Sequence, residues 1–267
     1  HRHCWKLMPG HILWLDAAEV IAGPTGHQPA DCQQPFWSAL QSMQTALAEP
    51  FAGTAEQAVD AVESLLTDAV NLRSVADVPV GVFLSGGTDS ALVAALMQAR
   101  KQGPVNSFSI GFRDSSHDEA PLARAVAGHL GLEHTELYVD DADALGVVPL
   151  LPSMFDEPFA DASQVPTALV ARLASSQVTV ALTGDGGDEL FFGYQRYQRA
   201  LRNWSIVQRV PGWLRRGLSR HSAGEGSRTG GLAAVAGELD ARGIGDVYRQ
   251  RVQRWRDPVA VVRGARP

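Results

Sequence analysis

Apolar and polar positions repeat along this chain with two different periods, and the period predicts the elements. Residues 7–15 end in the apolar run Ile12-Leu13-Trp14-Leu15, which reads as one short edge strand. Residues 23–35, rich in Gly, Pro and polar side chains, read as a linker. Thr54 followed by Gln57 is a capping-box signature, and behind it Val59, Val62, Leu66, Ala69 and Arg73 recur at helical spacing. The spacing predicts an amphipathic helix over 55–74.

The pattern then alternates. Residues 78–84 form a short, β-branched, continuously apolar run suited to a strand covered on both faces, and 90–100 follow as an apolar helix. Strands are predicted at 105–112, 134–139 and 178–182, with helices at 118–130 and 165–175 and another from residue 189. Pro121 is tolerable in a first helical turn. Strand and helix alternating at this spacing predict an α/β fold, an open, mostly parallel sheet with helices on both faces, and place ligands at the carboxyl ends of the strands. No internal repeat occurs. Past residue 195 the signal becomes helical and irregular, with a loop-like stretch at 222–231.

Composition narrows the class. The 267 residues are 45% hydrophobic and 19% charged, which excludes a disordered chain or a disulfide-stapled miniature. Two cysteines, Cys4 and Cys32, cannot frame a fold of this size, and no run approaches the ~20 apolar residues of a membrane span. A cytoplasmic protein without a membrane partner is expected. The chain does not start with methionine and ends without a capping or stop signal, so a fragment of something longer is expected too. Charge is uneven: from residue 195 onward 15 arginines face 5 acids, whereas the earlier part holds 8 bases and 24 acids. An arginine-faced helical layer docking on an acidic domain accounts for this, as does a basic surface for a polyanion; the first is the expectation, and no nucleic-acid partner is predicted.

Two glycine-rich segments carry the chemistry. Leu84-Ser85-Gly86-Gly87-Thr88-Asp89-Ser90 joins a strand to a helix. Adjacent glycines let the backbone approach a ligand, so N–H groups and the helix N-terminus face one anion, and three hydroxyls add donors. This is a phosphate cradle without the lysine of the G-x-x-x-x-G-K-[ST] loop, and neither Lys6 nor Lys101 is placed to supply it. Asp89 beside phosphates is repulsive unless a divalent cation lies between them, so Mg²⁺ is expected there. Thr183-Gly184-Asp185-Gly186-Gly187-Asp188-Glu189 follows the fourth strand and makes sense as the opposing, metal-holding wall; its spacing does not fit a twelve-residue calcium loop. Taken singly, the residues of both segments also fit ordinary turns and a helix cap.

Together these motifs resemble a known family. Ser85-Gly86-Gly87-x-Asp89-Ser90 is similar to the pyrophosphate loop of the N-type ATP pyrophosphatases. With Phe108-Ser109-Ile110-Gly111-Phe112, Asp156-Glu157-Pro158-Phe159 and Gly184-Asp185-Gly186-Gly187-Asp188-Glu189-Leu190-Phe191-x-Gly193-Tyr194, the chain resembles the synthetase domain of glutamine-dependent asparagine synthetase over roughly residues 55–200. The resemblance implies an adenine nucleotide alpha hydrolase-like fold with a helical C-terminal extension. It implies a division into 1–50, the closing end of an N-terminal glutaminase domain plus linker, and 51–267, an ATP-pyrophosphatase domain incomplete at its C-terminus. It further implies ATP cleaved between its α and β phosphates, with Leu84 and Ile110 lining adenine and ribose. Ser85, Gly86, Gly87, Thr88, Asp89 and Ser90 would hold pyrophosphate, Thr183 and Gly184 would pack on the nucleotide, and Asp89 and Asp188 would hold Mg²⁺. Aspartate would be activated as a β-aspartyl adenylate and amidated by glutamine-derived ammonia, in a possible homodimer. Asp185 takes the place of a glutamate thought to assist the intermediate.

Departures from that family set the rivals. Cys4 is not followed by glycine and cannot be the glutaminase nucleophile, and the family's C-terminal lysine lies in a stretch this chain does not reach. A β-lactam synthetase or other amide ligase keeps the same fold; a non-catalytic nucleotide-binding remnant and a tRNA-modifying enzyme are the further alternatives. No G-x-S-x-G elbow surrounds a serine. His1, His3 and Cys4 read as a terminus rather than a metal site, and Trp204, Trp213 and Trp255 read as helix-packing anchors.

Overall fold

A computed structural model of the chain describes residues 6–15, 17–18, 33–113, 118–156, 161–212, 214–215, 238–239 and 241–252. His1, His3, Cys4, Cys32, Trp213, Trp255, the 222–231 stretch and Glu157-Pro158-Phe159 lie outside the described residues. The chain divides into two compact units, His1–Leu66 and Thr67–Pro267.

In the first unit, strand β1 (His11–Leu13) pairs antiparallel with β2 (Gln33–Pro35), His11 opposite Pro35. The expected edge strand is therefore present, but its partner comes from the end of the segment read as linker. Helix α1 (Ala39–Ala48) was not expected; Ser38 caps it, its Oγ accepting from the Gln41 N–H at 3.3 Å. Leu40, Met43 and Leu47 do recur at helical spacing, but all three are exposed, so the signal is short and weak. Helix α2 (Ala55–Ser74) begins with the expected reciprocal cap: the Gln57 N–H donates to Thr54 Oγ1 at 3.2 Å, and the Thr54 N–H to Gln57 Oε1 at 2.9 Å.

The second unit is built on four strands, β3 (Val80–Phe83), β4 (Asn106–Phe112), β5 (Glu133–Val139) and β6 (Val180–Leu182), all parallel and in the order β5-β4-β3-β6. Helices α3 (Thr88–Arg100) and α4 (Ala120–Leu130) connect the first three strands. Pro121 sits in the first turn of α4 and Gly131, at φ +68°, ends it. The chain moves outward from β3 to β4 to β5, then crosses back through α5 (Asp141–Val147), the one-turn α6 (Leu151–Met154) and α7 (Gln164–Ala174) to lay β6 on the other side of β3. Helices α5 and α6 fall in a stretch to which no element was assigned; Asp140 and Asp143 cap α5 reciprocally, the signature that marks it in the sequence.

Side-chain alternation along the buried strands makes two cores. On one face Val82, Leu84 and Val105 pack with Ala94 and Met97 of α3, Ala123 and Ala127 of α4 and Val70 of α2. On the other, Phe108 packs with Ala174 of α7, Val178 and Phe83, while Val139 and Ile110 meet Leu169 and Val147. Full burial of a side chain such as Phe108 contributes about 2–3 kcal/mol. Helices on both faces and a reversal of strand order between β3 and β6 open a crevice at the carboxyl ends of those two strands.

The helix expected from residue 189 is two pieces. A single turn, α8 (Gly187–Leu190), ends before Phe192, whose φ of +60° reverses the chain, and α9 (Gln195–Val207) starts afresh. Ala200 and Trp204 of α9 pack on Ala241 and Val247, the latter in α10 (Ile244–Val252), so Trp204 serves as a helix-packing anchor.

Candidate active site

The loop after β3 keeps the ladder going for one residue, the Leu84 N–H donating to the Phe108 carbonyl at 2.9 Å, and then turns. Gly86 takes φ +80°, and a β-carbon there would lie 2.9 Å from the Ala123 backbone nitrogen, so the turn rests directly on α4. Ser90, 7% exposed, staples the loop: its Oγ donates to the Gly87 carbonyl at 3.2 Å, accepts from the Ser85 N–H at 3.2 Å and lies 3.0 Å from Ser85 Oγ. Gly87 is the N-cap of α3 and offers no side-chain acceptor. The first N–H groups of the helix, which have no intrahelical partner, are thereby left for an anion.

The loop after β6 packs closely on the first loop, Gly184 against its backbone and Gly187 against the Asp89 side chain. A β-carbon on Gly184 would lie 2.6 Å from the Ser90 nitrogen, and one on Gly187 would lie 2.5 Å from Asp89 Cγ. Thr183 orients Asp185, its Oγ1 donating to Asp185 Oδ2 at 3.0 Å and accepting the Asp185 N–H at 3.3 Å. Asp188 leans on Gly193, whose N–H donates to the Asp188 carbonyl at 3.0 Å.

A cleft of about 1680 Å³ opens where the loops meet. Leu84, Ser85, Gly87, Thr88, Asp89, Ser90, Ile110, Thr183, Gly184, Asp185 and Asp188 all line it. Gly86 does not, because it turns toward α4. Leu84, 1% exposed, sends its side chain into the core. The volume exceeds the ~300–1,000 Å³ of a pocket for one small ligand and leaves room for a nucleotide with a second substrate. Among the described residues no group of three or more His, Cys, Asp or Glu side chains is arranged to hold a metal. Asp89 and Asp188, both half-buried, fit Mg²⁺ in another way: that ion is ordinarily held by one or two carboxylates completed by substrate phosphates and water.

Several cleft residues had no individual signal in the sequence: Glu119, Asp161, Ser163, Arg196, Tyr248 and Arg251. Tyr194, which closes the second motif, donates from its hydroxyl to Glu189 Oε1 at 2.7 Å. That bond holds the Glu189 carboxyl below the usual carboxylate range and raises the Tyr194 phenol. The Arg196 guanidinium lies over the Tyr194 ring, 3.5 Å from its centroid. Desolvation works against its charge, but the hydroxyls of Tyr197, Tyr194 and Tyr248 outweigh it and leave its pKa raised. Arg251 pairs with Glu238 at 2.6 Å, and Asn203 Nδ2 donates to the other Glu238 oxygen at 2.9 Å.

Behind the cleft wall, Ser107 and Ser109 of β4 place their hydroxyls 2.8 and 3.2 Å from Nδ1 and Nε2 of His134 on β5. Glu136 lies 3.3 Å from the same Nε2 and is also held by Arg124. Burial pushes the His134 pKa down, Arg124 adds to this, and Glu136 opposes it.

A parallel sheet whose strand order reverses beneath two interlocked glycine-rich loops defines an α/β domain of the adenine nucleotide alpha hydrolase-like kind. Residues 61–267 match the asparagine synthase family, and the chain belongs to that enzyme family. It is 35% identical over 164 residues to asparagine synthetase (glutamine-hydrolyzing) 1 of Bacillus subtilis, covering 61% of this chain and 26% of that protein. It is 34% identical over 152 residues to the asparagine synthetase (glutamine-hydrolyzing) of Brassica oleracea, covering 52% and 26%. It is also 31% identical over 230 residues to the amidase chyE of Penicillium rubens, covering 76% and 31%. The chain thus spans about 30% of the length of the curated relatives it matches.

Proposed function

We propose that this chain is the ATP-cleaving synthetase part of a glutamine-dependent asparagine synthetase. The observation that carries the reading is the seating of the second loop on the first, Gly184 on Ser90 and Gly187 on Asp89, which sets an open helix N-terminus and two carboxylates in one cleft. The open N–H groups of the first loop bind the pyrophosphate part of ATP and hold it while a β-carboxylate oxygen of aspartate bonds to the α-phosphorus and pyrophosphate leaves. Asp89 and Asp188 would hold Mg²⁺, which supplies charge neutralisation between the two anions. In the second half, ammonia bonds to the acyl carbon, AMP leaves, and the surplus proton departs. Asp185, exposed in the cleft and oriented by Thr183, is the group to receive it.

Residues 1–50 are, on this reading, the closing end of the glutaminase domain that generates the ammonia, with its linker, and the enzyme works in the cytoplasm. The test is exchange of labelled pyrophosphate into ATP by the full-length protein. Exchange that requires both Mg²⁺ and aspartate is expected, and exchange that ignores aspartate overturns the substrate. A second reading keeps the fold and changes the acid that is activated; the match over 76% of the chain to a protein named as an amidase, not an asparagine synthetase, supports different chemistry on this fold. A panel of carboxylic acids in the same assay separates the two.

A further inference from the structure

Among the described residues, six carboxylates line the cleft, those of Asp89, Glu119, Asp161, Asp185, Asp188 and Glu189, against the two cations Arg196 and Arg251. A second anionic substrate entering so acidic a space needs a fixed positive charge of its own. Arg251 is already committed, its guanidinium paired at 2.6 Å with Glu238, whose side chain is 6% exposed. Arg196 has no carboxylate within ion-pair distance among the described residues; the Glu189 carboxylate feels its charge only weakly and from farther off. Its position is otherwise unfavourable. It stands in the first turn of α9, where the helix dipole disfavours a cation.

The side chain is also pre-organised. Its guanidinium lies over Tyr194 and 5.5 Å from the Tyr197 ring centroid, and Tyr194 is itself anchored through its hydroxyl to Glu189. Tyr197 is packed between Tyr194 and Tyr248, at ring centroid distances of 5.4 and 5.5 Å. Aromatic rings hold the charge without neutralising it, and a planar fork of five donors exceeds what nearby phenol oxygens occupy, so a bidentate acceptor is still accommodated. A phosphate already has its cradle at the start of α3. Arg196 stands on a different element and matches a carboxylate.

Resting on the proposed reaction, we infer that Arg196 receives the carboxylate of the acyl substrate that is not activated, so that the cleft selects a dicarboxylic amino acid. One carboxylate enters the reaction and the other pairs with the guanidinium. Arg196 is then a specificity-determining residue, and Tyr194 a positioning residue behind it.

The test compares the full-length protein with Arg196→Ala and Arg196→Lys in pyrophosphate exchange, with circular dichroism and thermal melting as controls for folding. For Arg196→Ala the KM for aspartate should rise about 10- to 100-fold, with partial recovery in Arg196→Lys and with kcat and the KM for ATP within about twofold of the parent. An unchanged KM for aspartate overturns the inference. A raised KM for ATP overturns it as well, by assigning the guanidinium to phosphate. Should the parent ignore aspartate and accept another acid, the proposed reaction fails separately. The inference then stands only if that acid carries a second carboxylate whose amide derivative the parent rejects and Arg196→Ala does not. With no exchange at all, calorimetry of aspartate binding to the ATP-loaded protein decides: binding lost in Arg196→Ala supports the inference, and equal or absent binding overturns it.

Discussion

The carboxylate of Asp89 occupies the space that a β-carbon on residue 187 would need. Gly187 is thus the floor on which Asp89 rests, and the two glycine-rich segments are mechanically one site. Gly187→Ala pushes on a side chain that has room to rotate, so stability should change little while the Mg²⁺ requirement of exchange rises about tenfold or more. Gly184→Ala pushes on the Ser90 nitrogen and the Asp89 carbonyl carbon, backbone that cannot swing aside. It should cost about 1–3 kcal/mol in urea denaturation. Equal stability losses for the two variants would contradict this packing.

Asp89→Ala removes one of the two carboxylates proposed to hold Mg²⁺ and leaves the loop's hydroxyl staple intact. Exchange should fall by about 10²-fold or more, with the thermal midpoint near that of the parent. Retained exchange at ordinary Mg²⁺ would remove Asp89 from the chemistry.

His134 has a folded-state pKa below its ordinary value of about 6.5, mainly through burial. Its contribution to stability is therefore present above pH 6.5 and is lost as pH falls from there toward the folded-state value, because the unfolded chain takes up the proton first. The parent should lose more stability between pH 7 and pH 5 than His134→Gln, which has no proton to gain. Parallel pH profiles in chemical denaturation would show that His134 titrates normally.

Glu238, 5% exposed, holds Arg251 and Asn203 together beneath α9 and α10. Glu238→Ala leaves a poorly solvated guanidinium alone and should destabilise by about 3–5 kcal/mol, whereas Glu238→Leu with Arg251→Met should recover most of that loss. A single variant as stable as the parent would mean the pair is not formed in solution.

Local pattern carried much of this fold because periodicity and end signals are properties of neighbouring residues. The capping box at Thr54 and Gln57, the continuous apolar run of β3 and the glycines of both loops each reflect a backbone requirement met within a few positions. That is why the parallel sheet, the position of α2 and the two loops were legible, and why eleven of the expected site residues line one cleft. Where polar residues make a strand, as at Gln33–Pro35, or a positive φ at Phe192 breaks a helical run, the same signals fell short.

Contacts between distant segments depend on sheet register and on how helices stack, and no local period encodes either. The register of β3 against β6, Val82 opposite Leu182, seats Gly184 on Ser90 and Gly187 on Asp89. The packing of α9 on α10 turns two of the fifteen arginines counted after residue 195, Arg196 and Arg251, toward the cleft and binds one of them to Glu238. The sequence alone determined which chemical groups the loops carry, since glycine, hydroxyl and carboxylate at those positions meet local demands. Tertiary structure decided which charges share the cleft, because electrostatic partnership is set by distance through space and not along the chain.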